Sequence, residues 1–202
     1  MKTKRAAATR DIALAGTVRD VTDAGDAVVD TEARGIVMVR GALPGERVRV
    51  RIDESRRGVA RGTLLAIETP SPDRIESACA LSDRCGGCPL IRLNLPAQRA
   101  LKLERVKRAI GGLGASGVEP SFDEAGSAFA YRRRARLGFR KVGAGLVLGY
   151  FVHGSHRLID VGSCPVLSPR LDRALATLRE ALSPSLTGSG EVELFELANE
   201  GV

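Results

Sequence analysis

Tryptophan is absent from this 202-residue chain, and two tyrosines with five phenylalanines bring the aromatic share to only 3%. That scarcity argues against a surface built from aromatic platforms on which nucleic-acid bases stack. There are two histidines, His153 and His156, flanking a Gly-Ser turn. With no carboxylate or nucleophile at motif spacing they read as ordinary loop residues. No hydrophobic run could span a membrane, and no apolar run of signal-peptide length follows the basic N-terminus. The expectation is a soluble, cytoplasmic protein without a membrane partner, whose cysteines stay out of disulfides. Acidic residues are also in deficit: 24 Asp and Glu stand against 31 Lys and Arg, a net charge of +7, which points to a polyanionic partner. The positive residues bunch at 2–10, 99–108 and 132–141. The end of the chain instead carries Glu191, Glu193, Glu196 and Glu200 with no Lys or Arg. Bunching favours nucleic acid over plain solubility charge, with phosphate contacts dominating.

The chain has only four cysteines, and three of them fall in one loop, Cys79-Ala-Leu-Ser-Asp-Arg-Cys85-Gly-Gly-Cys88, with Cys164 far downstream. The short Cys85–Cys88 gap lets two thiolates face one centre, and the longer gap to Cys79 lets the loop wrap round it. Gly86 and Gly87 supply a tight turn and leave backbone N–H groups free to approach sulfur. Proline follows both Cys88 and Cys164, as in ferredoxin-like sites, so a [4Fe–4S] cluster is the first reading. Structural zinc comes second, because its ligands are usually two close pairs whereas these divide three and one. Four unrelated buried cysteines are the bland alternative.

Short β-prone runs at 13–21, 27–30, 35–40, 46–52 and 58–67, separated by turn signals, predict a five-stranded barrel of the oligonucleotide-binding kind, though an SH3-like barrel would show the same pattern. Within Val48-Arg-Val-Arg-Ile52 the apolar residues face inward and Arg49 and Arg51 outward. Thr69-Pro-Ser-Pro72 is a stiff connector. The chain is therefore divided into a basic tail (1–11), an OB-like barrel (12–69) and an α+β domain (70–202) that holds the cysteine loop at 79–88 and Cys164. Overall the fold class is mixed β and α+β. Residues 96–110 read as a basic amphipathic helix with Ala97, Leu101 or Leu103, Val106 and Ile110 on its apolar stripe. Gly112-Leu-Gly-Ala-Ser-Gly117 matches a dinucleotide fingerprint in letters, but it follows a helix rather than a strand and reads as a helix cap and loop. From Phe129 to Arg140 the residues alternate: Phe129, Tyr131, Arg133, Ala135, Leu137 and Phe139, mostly apolar, share one face, and Arg132, Arg134, Arg136 and Arg140 the other. Neighbouring arginines on a strand face stand about 6.6 Å apart, a ladder able to follow a phosphate backbone, and like charges repel without an anion. A returning strand at 146–152, a strand at 157–161, and a helix capped by Ser168-Pro169 with Leu171, Leu175, Leu178 and Leu182 on its stripe come next. The alternating segment 191–197 reads as a strand.

The pattern C-x5-C-G-G-C with a distant Cys-Pro resembles that of the S-adenosylmethionine-dependent RNA (uracil-5)-methyltransferases that carry a [4Fe–4S] cluster. The surrounding order is similar too: Gly41-Ala-Leu-Pro-Gly-Glu-Arg-Val48 of a TRAM barrel, Pro70-Ser-Pro-Asp-Arg74, the cysteine loop, Tyr131-Arg-Arg-Arg134 and Ile159-Asp-Val-Gly-Ser-Cys164-Pro. Pro89-Leu-Ile stands where a glutamine-containing segment is common in the family. The resemblance implies that Cys79, Cys85, Cys88 and Cys164 are cluster ligands and that the partner is structured RNA, ribosomal or transfer. It also implies a cysteine nucleophile, a general base and a Rossmann-like domain for S-adenosylmethionine. All four cysteines are already assigned, and no strand-then-glycine-loop unit is found. No catalytic or S-adenosylmethionine-binding residue is therefore assigned, and the Rossmann-like domain is expected to be absent. The chain reads as the RNA-binding, cluster-bearing portion of such an enzyme, truncated or split from a C-terminal methyltransferase domain and inactive alone. The alternative is a stand-alone iron–sulfur or zinc RNA-binding module, and an electron-transfer role is the weakest reading.

Overall fold

The computed structural model describes residues 13–33, 35–56, 59–114, 117–122 and 126–197. The basic tail expected at 1–11 lies outside them. The described residues form two compact units, one of those up to Glu76 with Arg92–Asn94, the other of Ser77–Ile91 with those from Leu95 onward. The segment 70–76, expected with the second domain, thus packs with the barrel.

The first unit is a closed barrel of β1 (Ala13–Val21), β2 (Asp26–Thr31), β3 (Gly35–Arg40), β4 (Arg47–Arg56) and β5 (Val59–Thr69). Its strand order is β1-β2-β3-β5-β4, with β1 and β4 pairing to close it. All neighbours are antiparallel except β3 and β5, which run parallel. That order is the Greek-key path of an oligonucleotide-binding barrel, which meets the expectation and sets the SH3-like alternative aside. The alternation in β4 holds: Val48 and Val50 are fully buried with Val18, Val29, Val37 and Val39, while Arg49 and Arg51 point outward to Glu68 and Asp53.

Two acidic side chains break the apolar pattern: Asp26, paired with Arg61, and Glu46. Glu46, immediately before β4, is completely buried. Its Oε2 accepts from the Leu43 amide (2.8 Å) and Arg74 Nη2 (2.9 Å), and its Oε1 from the Ser71 amide (3.2 Å) and Arg74 Nε (2.5 Å). Burial alone would raise its pKa, but Arg74 and the two amides outweigh burial and hold the carboxyl below the usual glutamate range. The Leu-Pro-Gly-Glu turn and the Pro-Ser-Pro-Asp-Arg connector are thereby locked together, which explains why 70–76 belongs to the barrel unit.

In the second unit a sheet runs in the order β8-β7-β6-β9, built from β6 (Arg134–Val142), β7 (Gly145–Phe151), β8 (Leu158–Asp160) and β9 (Ser189–Phe195). Helix α2 (Pro169–Leu182) begins on the expected cap, where the Ser168 hydroxyl accepts from the Leu171 amide. Leu171 and Leu175 are buried in a core with Leu137, Leu148 and Val161. Arg179 on α2 donates to the carbonyls of Leu146 and Val161 and to Asp160, tying the helix to β7 and β8. Helix α1 (Leu95–Gly112) forms where expected but buries no residue, and Val106, placed on its apolar stripe, is exposed. The glycine fingerprint begins at the C-terminal end of α1 and follows no strand.

Glycine is required in β7. A Cβ on Gly149 would lie 2.1 Å from the Ile159 carbonyl oxygen and 2.9 Å from the Val161 nitrogen, both backbone. Gly149→Ala is expected to cost about 1–3 kcal/mol, because β8 would have to move off β7, and thermal melting of the chain reads the loss directly. A melting temperature unchanged from wild type would refute the close approach.

Candidate functional site: the four-cysteine cavity

The cysteine loop contains no regular helix or strand and is held by a few backbone bonds. The Arg84 and Cys85 amides donate to Leu81 O, the Ser82 amide to Cys79 O, and the Gly86 amide to Phe151 O at the end of β7. Gly86 sits so close to this strand end that an added Cβ would be 3.3 Å from both His153 Cα and Phe151 O. From the other side, Cys164 is fixed by Asp172 of α2, which accepts from the Cys164 amide (2.6 Å) and the Ser163 hydroxyl (2.9 Å).

These two segments bring Cys79, Cys85, Cys88 and Cys164 to the wall of a single cavity. All four are free thiols, so no disulfide forms. The expected N–H to sulfur contact is present, with the Gly87 amide donating to Cys85 Sγ at 3.4 Å. Burial pushes the Cys88 thiol up, with Arg132 acting against it. It pushes Cys164 up as well, opposed by the amides of Val166 and Leu167 and by Arg132. Among the described residues no group of three or more His, Cys, Asp or Glu side chains is placed to hold a metal ion as it stands. The donor set is nonetheless four soft sulfurs with N–H donors on two of them and Ile91, Pro165 and Val166 between, the chemistry of a thiolate-bound iron–sulfur or zinc group rather than of a hard cation.

Arg132 and Tyr150 also line this cavity, and neither was expected there. The strand forecast from Phe129 in fact begins at Arg134. Ala130 has φ +57°, a left-handed conformation that breaks the alternation. Segment 130–132 instead lies beside 165–168: the Ala130 amide donates to Pro165 O, Arg132 to Val166 O, and Ser168 back to Arg132 O. Tyr131, assigned to the apolar face, is consequently 54% exposed. Arg132 leaves the arginine ladder and turns into the cysteine cavity. Tyr150 on β7 buries its hydroxyl there without a hydrogen bond of ordinary geometry. Its pKa is pushed up to about 12, first by burial and then by Cys164, with Arg132 opposing.

On the exposed face the ladder retains Arg134, Arg136 and Arg140, but the premise of unbalanced repulsion does not hold. Strand β9 pairs with β6 and sets Glu193 opposite Arg136. Arg134 and Arg136 both donate to Glu193 Oε1 at 3.0 Å. Those two guanidiniums hold the Glu193 carboxyl below its usual range. Arg134 also stacks over the Phe195 ring, 5.0 Å from its centroid. Only Arg140 of the three lacks an acidic partner among the described residues. Leu194 is buried and Val192 half-buried, so β9 is less sticky than an isolated alternating strand, although Phe195 and Leu197 are exposed.

His153 and His156 lie in the turn after β7 and do not line the cavity. No described helix is long and apolar enough to cross a membrane.

Residues 17–65 match the TRAM domain. A 23S rRNA (uracil(1939)-C(5))-methyltransferase RlmD from Pectobacterium atrosepticum is 36% identical over 91% of this chain and 41% of its own length. The enzyme of the same name from Chromohalobacter salexigens is 42% identical over 72% of this chain and 31% of its own. The crystal structure of Pyrococcus abyssi tRNA (uracil-54, C5)-methyltransferase in complex with S-adenosyl-L-homocysteine superposes with a TM-score of 0.56, over 85% of this chain and 37% of that one, at 21% identity. That likeness is one of fold. The chain spans about two fifths of the length of the first of these relatives.

Proposed function

We propose, from a TRAM domain and homology to RNA uracil-5 methyltransferases, that this chain is the RNA-binding and [4Fe–4S]-bearing portion of an S-adenosylmethionine-dependent enzyme of that kind, acting on ribosomal or transfer RNA in the cytoplasm. The observation that carries the cluster is the convergence of the chain's whole cysteine complement, from two distant segments, on one cavity. Cys79, Cys85, Cys88 and Cys164 would hold the cluster. When bound it supplies a covalent cross-link between the loop 77–91 and the segment entering α2, and no redox chemistry is needed for that role. Cys164 is presented by Asp172, Gly87 caps a sulfur with its amide, and the apolar lining limits access of water.

Methyl transfer in this reading needs a cysteine nucleophile beyond the four ligands, and the sequence of this chain has none. The methylation step and S-adenosylmethionine are therefore assigned to polypeptide that this portion would join, and RNA capture to the barrel and the β6 face. Anaerobic purification with iron, sulfide and zinc analysis tests the reading: about four irons per chain are expected. Stoichiometric zinc without iron would leave a zinc-stapled RNA-binding module, and neither metal would sink the assignment.

For RNA contact, Arg140→Ala is expected to weaken binding to structured RNA and lower the slope of log K against log salt by about 0.7–0.9, one phosphate contact. Arg134→Ala should weaken binding less, since Glu193 already occupies that guanidinium, and Glu193→Gln should tighten binding by freeing Arg134 and Arg136. Fluorescence anisotropy titrations at several salt concentrations check all three. An unchanged slope for Arg140→Ala would remove β6 from the RNA surface.

A further inference from the structure

A cluster held by four thiolates carries a net charge of about minus two, and burying it in an apolar wall is costly without a counter-charge. Among the described residues lining the cavity Arg132 is the one cation. Its neighbours on the ladder behave differently: the Arg134 and Arg136 side chains are 62% and 61% exposed and paired to Glu193. Arg132 is half-buried, and its backbone is clamped on both sides to the segment that carries Cys164, through Val166 O and the Ser168 amide. Beside it the Tyr150 hydroxyl is buried with no hydrogen bond of ordinary geometry; its neighbour Arg132 can only donate to it, so its own proton faces the cysteine sulfurs and the Ser82 hydroxyl that line the cavity.

We infer that Arg132 is a positioning residue of the cysteine site rather than an RNA contact: its guanidinium neutralises the negative thiolate-bound group, and the Tyr150 hydroxyl donates toward the same sulfurs. The inference rests on the reading that the cavity holds such a group. Net charge and hydrogen bonds to sulfur are among the factors that set cluster potential. A positive charge favours the reduced, more negative state. Removing it therefore lowers the midpoint and loosens the cluster.

The test uses the full chain, reconstituted anaerobically with iron and sulfide, as wild type, Arg132→Met, Arg132→Lys and Tyr150→Phe. Arg132→Met keeps the apolar stem. It is expected to lose iron to EDTA several-fold faster than wild type and to show at least tenfold less reduced cluster at a fixed potential, 59 mV for a one-electron couple. Arg132→Lys should restore both, Tyr150→Phe should show a smaller shift in the same direction, and the salt slope for RNA should be the same in all four. Arg132→Met with wild-type midpoint and iron-loss rate, or with a reduced RNA salt slope and an unaffected cluster, would overturn the inference. If Arg132→Met does not fold by circular dichroism, Arg132→Lys decides, because a charge role requires it to hold the cluster as wild type does. A wild-type chain that takes up no cluster shows its failure before any variant is made. That result removes the cluster reading, and this inference with it.

Discussion

Cys88→Ser is expected to abolish cluster binding and to strip hydrogen-exchange protection from residues 77–91 while β6 and β7 remain protected. The loop has no helix or strand and depends on a few turn bonds, among them Gly86 to Phe151 O. The sheet instead has its own core of Leu137, Leu148, Leu175 and Val161. Loss of one ligand removes the cross-link between the loop and the segment entering α2 and leaves the half-buried Arg132 without a counter-charge. The loop would open before the sheet does, and the second unit's melting transition would fall. Exchange mass spectrometry and iron analysis of the variant against wild type read this directly. A variant with full iron content and unchanged protection would show that Cys88 is a bystander and leave the site with three ligands. Cys164→Ser should be the more damaging of the two, since Cys164 is itself part of the apolar core.

The second large effect is in the barrel. Glu46→Gln is expected to destabilise the first unit by about 3–5 kcal/mol, because four donors converge on the two carboxylate oxygens and an amide supplies only one oxygen. Its NH2 group would face either Arg74 Nη2 and the Leu43 amide or Arg74 Nε and the Ser71 amide, donor against donor. Arg74→Ala should cost at least as much, leaving a fully buried carboxylate with no counter-charge and only the Leu43 and Ser71 amides.

The pH dependence has a definite sign. The folded carboxyl titrates below its ordinary value, so the native state binds fewer protons than the unfolded chain as pH drops through the glutamate range. The stabilisation from this pair is present above the unfolded pKa and is lost as pH falls through the lower, folded one. Wild type should therefore lose barrel stability on going from about pH 7 to about pH 3.5, and Glu46→Gln should show a flatter profile from a lower start. Urea melts of both at the two pH values measure it. Parallel profiles would mean that other carboxylates govern acid unfolding.

Much of the architecture could be read locally. The β1 and β3 bounds match the runs 13–21 and 35–40, because alternation and glycine turns are written within a few residues of each strand. Helix α2 starts on Ser168-Pro169, since a cap acts within one turn. The cysteine spacing was equally legible, as the geometry that lets Cys79, Cys85 and Cys88 face one centre lies inside a ten-residue stretch.

What escaped local reading depends on partners far along the chain. Arg134 meets Glu193 across 59 residues, and Arg74 meets Glu46 across 28. No periodicity in either segment announces those pairs, so the arginine ladder read as unbalanced charge and Glu46 as an unremarked member of a turn motif. Arg132 is the sharpest case, because alternation assigned it to the exposed face. The left-handed Ala130 and the backbone bonds to Val166 and Ser168 turned it toward the thiols. The sequence by itself determined the five-stranded barrel, the helices and the chemical character of the cysteine loop, all of which follow from short-range pattern. The tertiary structure alone decided which charges are neutralised within the protein and which face the cavity, because burial and long-range pairing set the electrostatic surroundings of each side chain.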